Sequence, residues 1–243
     1  MAKGILYLTL STEAHLMQLT GIGLYTIPEA ARLAGVRPLE LRRWLRGYHS
    51  GKGDATRYHP PLWTSEISDA AIDAVSFHDL LEVRFVKAFR NLGISLQAIR
   101  IAAANAREIL SSPYPFLCKH FRTDGKTIFA EAMSESGELD VLDLRRRQYV
   151  FAGVVQPSLY AGIEFGADER AARWYPMERS KAVVLDPNLA FGKPVVTDVA
   201  LRTDILFQAW LAEGKDKRRV ARLYEVPTTA IEAAIRFEQR QAA

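Results

Sequence analysis

Residues 26–46, TIPEAARLAGVRPLELRRWLR, decide the fold. They predict a helix, a tight turn and a second helix. Thr26 can cap the first helix through its hydroxyl, and Pro28 falls in the first turn, where its missing N–H is harmless. Ala30, Leu33 and Ala34 recur at helical spacing, and Gly35 can take the positive φ that ends a helix and turns the chain. Pro38 opens the second helix, in which Leu41 and Leu45 point inward while Arg37, Arg42, Arg43 and Arg46 point outward. Packing and charge therefore fall on different faces, giving the rigid cationic rod that a DNA groove accepts. A solvated helix whose arginines only confer solubility is the plain alternative.

The next stretch favours the first reading. Residues 47–63, GYHSGKGDATRYHPPLW, are rich in Gly, Pro, aromatic and basic residues. That is the composition of a wing reaching phosphates beside a recognition helix, with Lys52 and Arg57 as its phosphate ligands. With residues 76–100, SFHDLLEVRFVKAFRNLGISLQAIR, the stretch from 24 to 108 resembles the MerR-like winged helix-turn-helix family. In that family the second helix lies in the major groove and the wing touches the backbone. The resemblance thus implies DNA contacts from Arg42, Arg43, Arg46 and Arg57; outward-facing Arg37 and Lys52 of the wing join them as DNA-binding candidates. Two family features are missing: a long closing dimerisation helix and a cysteine cluster for sensing metal.

Composition bounds the rest. At 243 residues, with 49% hydrophobic and 25% charged residues, the chain can build a sizeable core and resembles a globular protein. The net charge of +4 fits nucleic acid or an acidic protein surface as partner and does not choose between them. Cys118 is the only cysteine, so an internal disulfide framework and a multi-thiolate zinc site are excluded. His15, His49, His59, His78 and His120 have no metal-ligand spacing, and no Gly-x-Ser-x-Gly elbow occurs. A non-enzyme without cofactor or metal is expected. The start of the chain is too interrupted by polar residues to span a bilayer, so a cytoplasmic location is expected.

Helical periodicity continues from Ser95 to Leu110 and stops at Ser111-Ser-Pro-Tyr-Pro. Beyond it, Asp124-Gly125 between β-prone residues predicts a hairpin in a small middle sheet. Leu139 to Phe165 mixes the arginine run Arg145, Arg146, Arg147 with β-prone residues, and Arg173 to Lys181 reads as a linker anchored by aromatics. From Ala182, two short extended segments surround Gly192-Lys-Pro, and helices are predicted at Thr203–Ala212, Asp216–Tyr224 and Thr228–Gln239. This part, with Asp186-Pro187, Gly192-Lys193-Pro194, Ala212-Glu213-Gly214 and Val226, resembles the small helical antitoxin module of VapB-like proteins. An internal alignment links the two ends. Ala31-Arg-Leu-Ala-Gly-Val36, Leu41 and Leu45 align without gaps with Ala221-Arg-Leu-Tyr-Glu-Val226, Ile231 and Ile235.

The expected fold is α+β, mainly α: an N-terminal arm (1–23), a winged helix-turn-helix (24–110), a middle β-containing segment and linker (111–180) and a C-terminal helix-turn-helix-like module (181–243). The resemblance implies a type II antitoxin, binding operator DNA to autorepress its operon and neutralising a PIN-like ribonuclease toxin. A homodimer and a hetero-oligomer with toxin follow. Arg145, Arg146, Arg147, Arg173 and Arg179 are the candidate toxin-contacting residues, since a cation near the acidic metal site of such a nuclease can block it. The alternative is a stand-alone MerR-like regulator whose Trp174, Tyr175 and Tyr160 hold a small ligand. The second recognition helix offers Thr228, Thr229, Glu232 and Ala233 rather than arginines, so the N-terminal unit is expected to be the main DNA reader. Lys215, Lys217, Arg218 and Arg219 could still hold phosphates from the preceding helix.

Overall fold

A computed structural model describes residues 21–67, 73–117, 121 and 159–242. The architecture is mainly helical with small antiparallel sheets, an α+β arrangement. Strand β1 (Tyr25–Thr26) leads into α1 (Ile27–Ala34), α2 (Pro38–Arg46) and a hairpin of β2 (Tyr48–Ser50) and β3 (Arg57–His59). Strand β4 (Ala74–Val75) returns to pair antiparallel with β1, and α3 (Phe77–Asn91) and α4 (Leu96–Leu110) complete the first unit. Strands β5 (Ile163–Phe165) and β6 (Ala171–Trp174) form a bulged ribbon. The chain closes with a sheet of β7 (Val183–Val184), β8 (Val195–Val196) and β9 (Leu201–Arg202), then helices α5 (Thr203–Ala212), α6 (Lys217–Leu223) and α7 (Thr228–Ala242).

Local chemistry sets the first turn. Thr26 and Glu29 form a capping box, the Glu29 N–H donating to Thr26 Oγ1 at 3.3 Å and the Thr26 N–H to Glu29 Oε2 at 2.9 Å. Such a cap stabilises a helix by about 1 kcal/mol. Gly35 ends α1 in the left-handed region at φ 65°, and the Val36 N–H donates back to the Ala31 carbonyl at 2.9 Å. The second unit repeats this step. Glu225 stands at φ 53°, the Val226 N–H donates to the Ala221 carbonyl at 3.0 Å, and Ile231 and Ile235 are buried as Leu41 and Leu45 are. The aligned residues thus occupy equivalent turns, although Glu225 bears the Cβ that disfavours this conformation.

One hydrophobic cluster runs from Tyr25 through Leu185 and takes in Phe237 of α7. At its centre Phe85, Phe89, Phe116, Phe121 and Tyr160 meet with ring centroids 5.0–6.4 Å apart. Residues on both sides of position 110 therefore share a core. A smaller cluster beneath α5–α7 centres on Leu206, Val220, Ile231 and Ala234. The sequence reading starts a linker at Arg173, but β6 extends to Trp174, which exchanges backbone hydrogen bonds with Leu185 at 2.8 and 3.0 Å. The predicted hairpin at Asp124-Gly125, Cys118, the run Arg145 to Arg147 and most of the N-terminal arm lie outside the described residues.

Three side-chain links tie the two ends of the chain together. Lys193 Nζ reaches both Glu29 oxygens at 2.7 and 2.6 Å, and the Tyr25 hydroxyl donates to the Gly192 carbonyl. That carbonyl is presented by Ala190, Phe191 and Gly192, all at positive φ, and a Cβ at Gly192 would sit 2.6 Å from the Tyr25 oxygen. The buried Glu238 of α7 accepts from Arg32 of α1 at 3.0 Å and from the Thr203 hydroxyl at 2.6 Å. Burial opposes ionisation of Glu29, but its bonds from Lys193 and Thr26 outweigh that and hold the carboxyl below its usual range.

Glu82 of α3 is the opposite case. It is 1% exposed, its Oε1 accepts the Phe116 N–H at 3.1 Å, and its Oε2 has no partner among the described residues. Burial pushes its carboxyl well above the usual range, more than the Phe116 bond pulls it down. A raised folded-state pKa means stability that is complete at low pH and lost as pH rises through the folded pKa. Glu82→Gln keeps an acceptor for Phe116 and removes that loss. Its melting temperature is expected to match wild type near pH 5 and to exceed it increasingly at alkaline pH, by up to about 1–3 kcal/mol of stability. A pH-independent difference in thermal melts would refute the assignment.

Candidate nucleic-acid interface

Helix α2 buries Leu41, Trp44 and Leu45 and turns Leu39, Arg42 and Arg43 to solvent. Its arginines are not equivalent. Arg43 is exposed and lies 5.3 Å over the Tyr48 ring at the base of the hairpin. Arg42 pairs with Asp73 at 2.6 Å, both half exposed, an ion pair worth at most about 1 kcal/mol that an approaching phosphate can replace. Arg37, 81% exposed, is held in a fork by Glu40 at 2.9 and 3.1 Å within the first turn. Arg46, read from the sequence as outward-facing, is half-buried, and its Nη1 donates to the Ile67 carbonyl at 3.3 Å. Arg37 and Arg43 have partners close in sequence, whereas Arg42 and Arg46 are told apart by partners 31 and 21 residues away.

The hairpin after α2 has the form of a wing. Tyr48 pairs with His59, His49 with Tyr58 and Ser50 with Arg57. Tyr48 and His59 stack at 4.6 Å with ring planes 13° apart, and His49 packs against Tyr58 at 4.9 Å, so both faces of this short ribbon are stiffened by rings. Lys52 in its turn and Arg57 at the start of β3 are exposed and have no carboxylate partner among the described residues. Leu39 and Tyr58 are 59% and 53% exposed. An exposed leucine three and four residues before Arg42 and Arg43 shares their face and suits contact with a thymine methyl. Sequence reasoning passed over Leu39 because an apolar residue beside arginines reads as packing; its spacing from Arg42 and Arg43 was the available signal.

The wing is anchored from behind. The Leu62 N–H donates to the Trp44 carbonyl at 2.9 Å, and Arg100 of α4 donates to the Pro60 carbonyl at 2.8 Å. Asp79, buried in the first turn of α3, accepts from Trp63 Nε1 at 2.7 Å and from the Ser65 hydroxyl at 2.6 Å. Helix and wing are therefore both fixed to α3.

The second helix-turn-helix presents a different surface. Lys217 pairs with Glu232 at 2.7 Å, Arg219 with Glu213, and Lys215 lies 5.8 Å over Trp210. Ala233, read as outward-facing, is buried. Internal carboxylates thus occupy two of the four cations proposed for phosphates. Elsewhere, Arg173 is bound to the buried Asp186 at 2.7 Å, a structural pairing between β6 and the loop after β7, while Arg179 is exposed. Tyr160 lies in the core, its hydroxyl donating to the Phe116 carbonyl at 2.7 Å, and Tyr175 is buried under Lys181. Trp174 is also buried, beneath Arg84. Among the described residues no group of three or more His, Cys, Asp or Glu is placed to hold a metal ion, and no helix is long and apolar enough to cross a membrane.

Known proteins share the sequence and the fold in part. The chain is 29% identical over 208 residues to a protein of Mycobacterium tuberculosis named "Putative antitoxin VapB45", covering 77% of this chain and 86% of that one. The fold is similar to the crystal structure of Rv2018 from the same organism, with a TM-score of 0.62 at 22% identity, covering 89% of this chain and 98% of that one. Residues 23–103 match the family described as "Putative DNA-binding HTH domain". The chain therefore carries a helix-turn-helix DNA-binding domain in its N-terminal half.

Proposed function

We propose that this chain is the antitoxin of a type II toxin-antitoxin pair. Residues 24–110, a MerR-like winged helix-turn-helix, read operator DNA and repress the operon. Residues 181–243 form the antitoxin-type module, joined through 111–180. The observation that carries the reading is the combination of a helix-turn-helix head with similarity to an antitoxin-named protein over most of both chains. Arg42 and Arg43, with Leu39 beside them, read the major groove, while Lys52 and Arg57 hold the backbone. Arg37 and Arg46 contribute from positions already tied to Glu40 and Ile67. Two copies related by a two-fold axis supply both half-sites. The toxin is a PIN-like ribonuclease, and Arg179, with the run Arg145 to Arg147, supplies cations for its acidic site.

Co-expression with the product of the neighbouring reading frame, followed by affinity capture and native mass measurement, tests this. A stoichiometric complex with a small nuclease is expected. A clean homodimer moves the assignment to the second reading, a regulator that answers to a small ligand. That reading has its own observation: Trp174 and Arg84 line a hollow beside α1 of the DNA-binding head.

A further inference from the structure

Two adjoining hollows, of about 290 and 440 Å³, open between α3, α7 and the segment after β6, and they share Pro176, Met177 and Arg240. Arg84 and Arg240 line the smaller, and Arg179, Arg236 and Arg240 line the larger. Glu178 is the single carboxylate among the described lining residues, and no ion pair joins it to these arginines. Arg179, Arg236 and Arg240 are exposed, and among the described residues none of them forms an ion pair, although Arg236 acts on Glu232 one turn away on α7.

Arg84 differs from ordinary surface arginines. It projects from the middle of α3, its guanidinium lies 4.0 Å over the Trp174 ring, and its Nη1 is shielded from solvent with no hydrogen-bond partner among the described residues. A charged donor left buried and unmatched is disfavoured, and the ring face offsets this only in part. Burial alone pulls its pKa down to about 10. Arg240 stands in the last turn of α7, where a cation also complements the helix end, but Arg84 has no such duty. An anion seated in the cleft would meet Arg84, Arg240, Arg179 and Arg236 together.

We infer that this cleft binds the phosphate group of a small ligand, held by the fork of Arg84 with Arg240 and flanked by Arg179 and Arg236. A planar guanidinium fixed by stacking presents its remaining N–H donors in the geometry that phosphate oxygens accept. The volumes are those of small-molecule sites rather than of a protein-sized footprint. This inference goes beyond the antitoxin reading and does not depend on it.

The test uses the full chain with neither DNA nor toxin present. Thermal melts titrated with pyrophosphate at constant ionic strength should show a saturable rise that chloride does not reproduce. Arg84→Gln and Arg240→Ala should each weaken the apparent affinity at least tenfold, whereas Arg42→Ala combined with Arg43→Ala should leave it unchanged. Arg240 is exposed, so its variant decides the matter if Arg84→Gln fails to fold. A response that survives Arg240→Ala, that disappears with the α2 arginines, or that chloride or succinate matches would overturn the assignment.

Discussion

Arg42→Ala combined with Arg43→Ala should cost about two orders of magnitude in operator affinity while leaving the fold intact. Both side chains are exposed on α2, and the one ion pair lost, with Asp73, is half exposed, so the melting temperature should change little. Contacts of this kind are each worth about 1–3 kcal/mol, and about 1.4 kcal/mol is tenfold in binding. Fluorescence anisotropy with operator duplex across a salt series separates the contributions. Wild-type affinity should fall steeply with salt, and each phosphate contact removed should flatten the logarithmic slope by about one. Undiminished affinity of the double variant at physiological salt would place the DNA surface elsewhere.

Asp79→Ala should be the most damaging single substitution to stability, at about 3–5 kcal/mol. Asp79 is fully buried and accepts from Trp63, Ser65 and the Ser76 N–H, while its own N–H is capped by Ser76. Alanine leaves the buried Trp63 N–H without its partner, and each stranded buried donor costs about 1–3 kcal/mol. For a chain of this size, that lowers the melting temperature by roughly 6–20 °C. Asp79→Asn retains one acceptor and should lose less. Because Asp79 also pins the segment after the wing, urea denaturation should be paired with DNA binding measured well below the transition. A loss under about 1 kcal/mol would mean that this network is not what fastens the wing.

The first helix-turn-helix was legible because its determinants are local: a capping threonine, a glycine at the turn and apolar residues at helical spacing. The second was found through its alignment with the first, and the shared Val-to-Ala backbone bond shows why that worked even with Glu225 in place of glycine. The divided roles of the arginines were not legible. Arg42, Arg46 and Arg173 look alike in one dimension, and their partners Asp73, Ile67 and Asp186 lie 13 to 31 residues away. Arg84 was invisible for the same reason, since its contact with Trp174 joins distant segments across the core. Of the ribbon β5–β6, the first strand falls at the end of the β-prone stretch Leu139 to Phe165, whereas β6, four residues long and without clean alternation, was hidden at the start of what reads as a linker.

The bonds from Lys193 to Glu29 and from Arg32 to Glu238 bear on how this protein can be rebuilt. The reading head is not a transplantable cassette. Grafted onto another effector, it would carry Tyr25 and Glu29 shorn of their counterparts 167 and 164 residues onward, and the helix that precedes the recognition helix would begin from an unsupported cap. Chimaeras should therefore exchange the head together with residues 190–242, and lineages that recombine such heads face the same constraint.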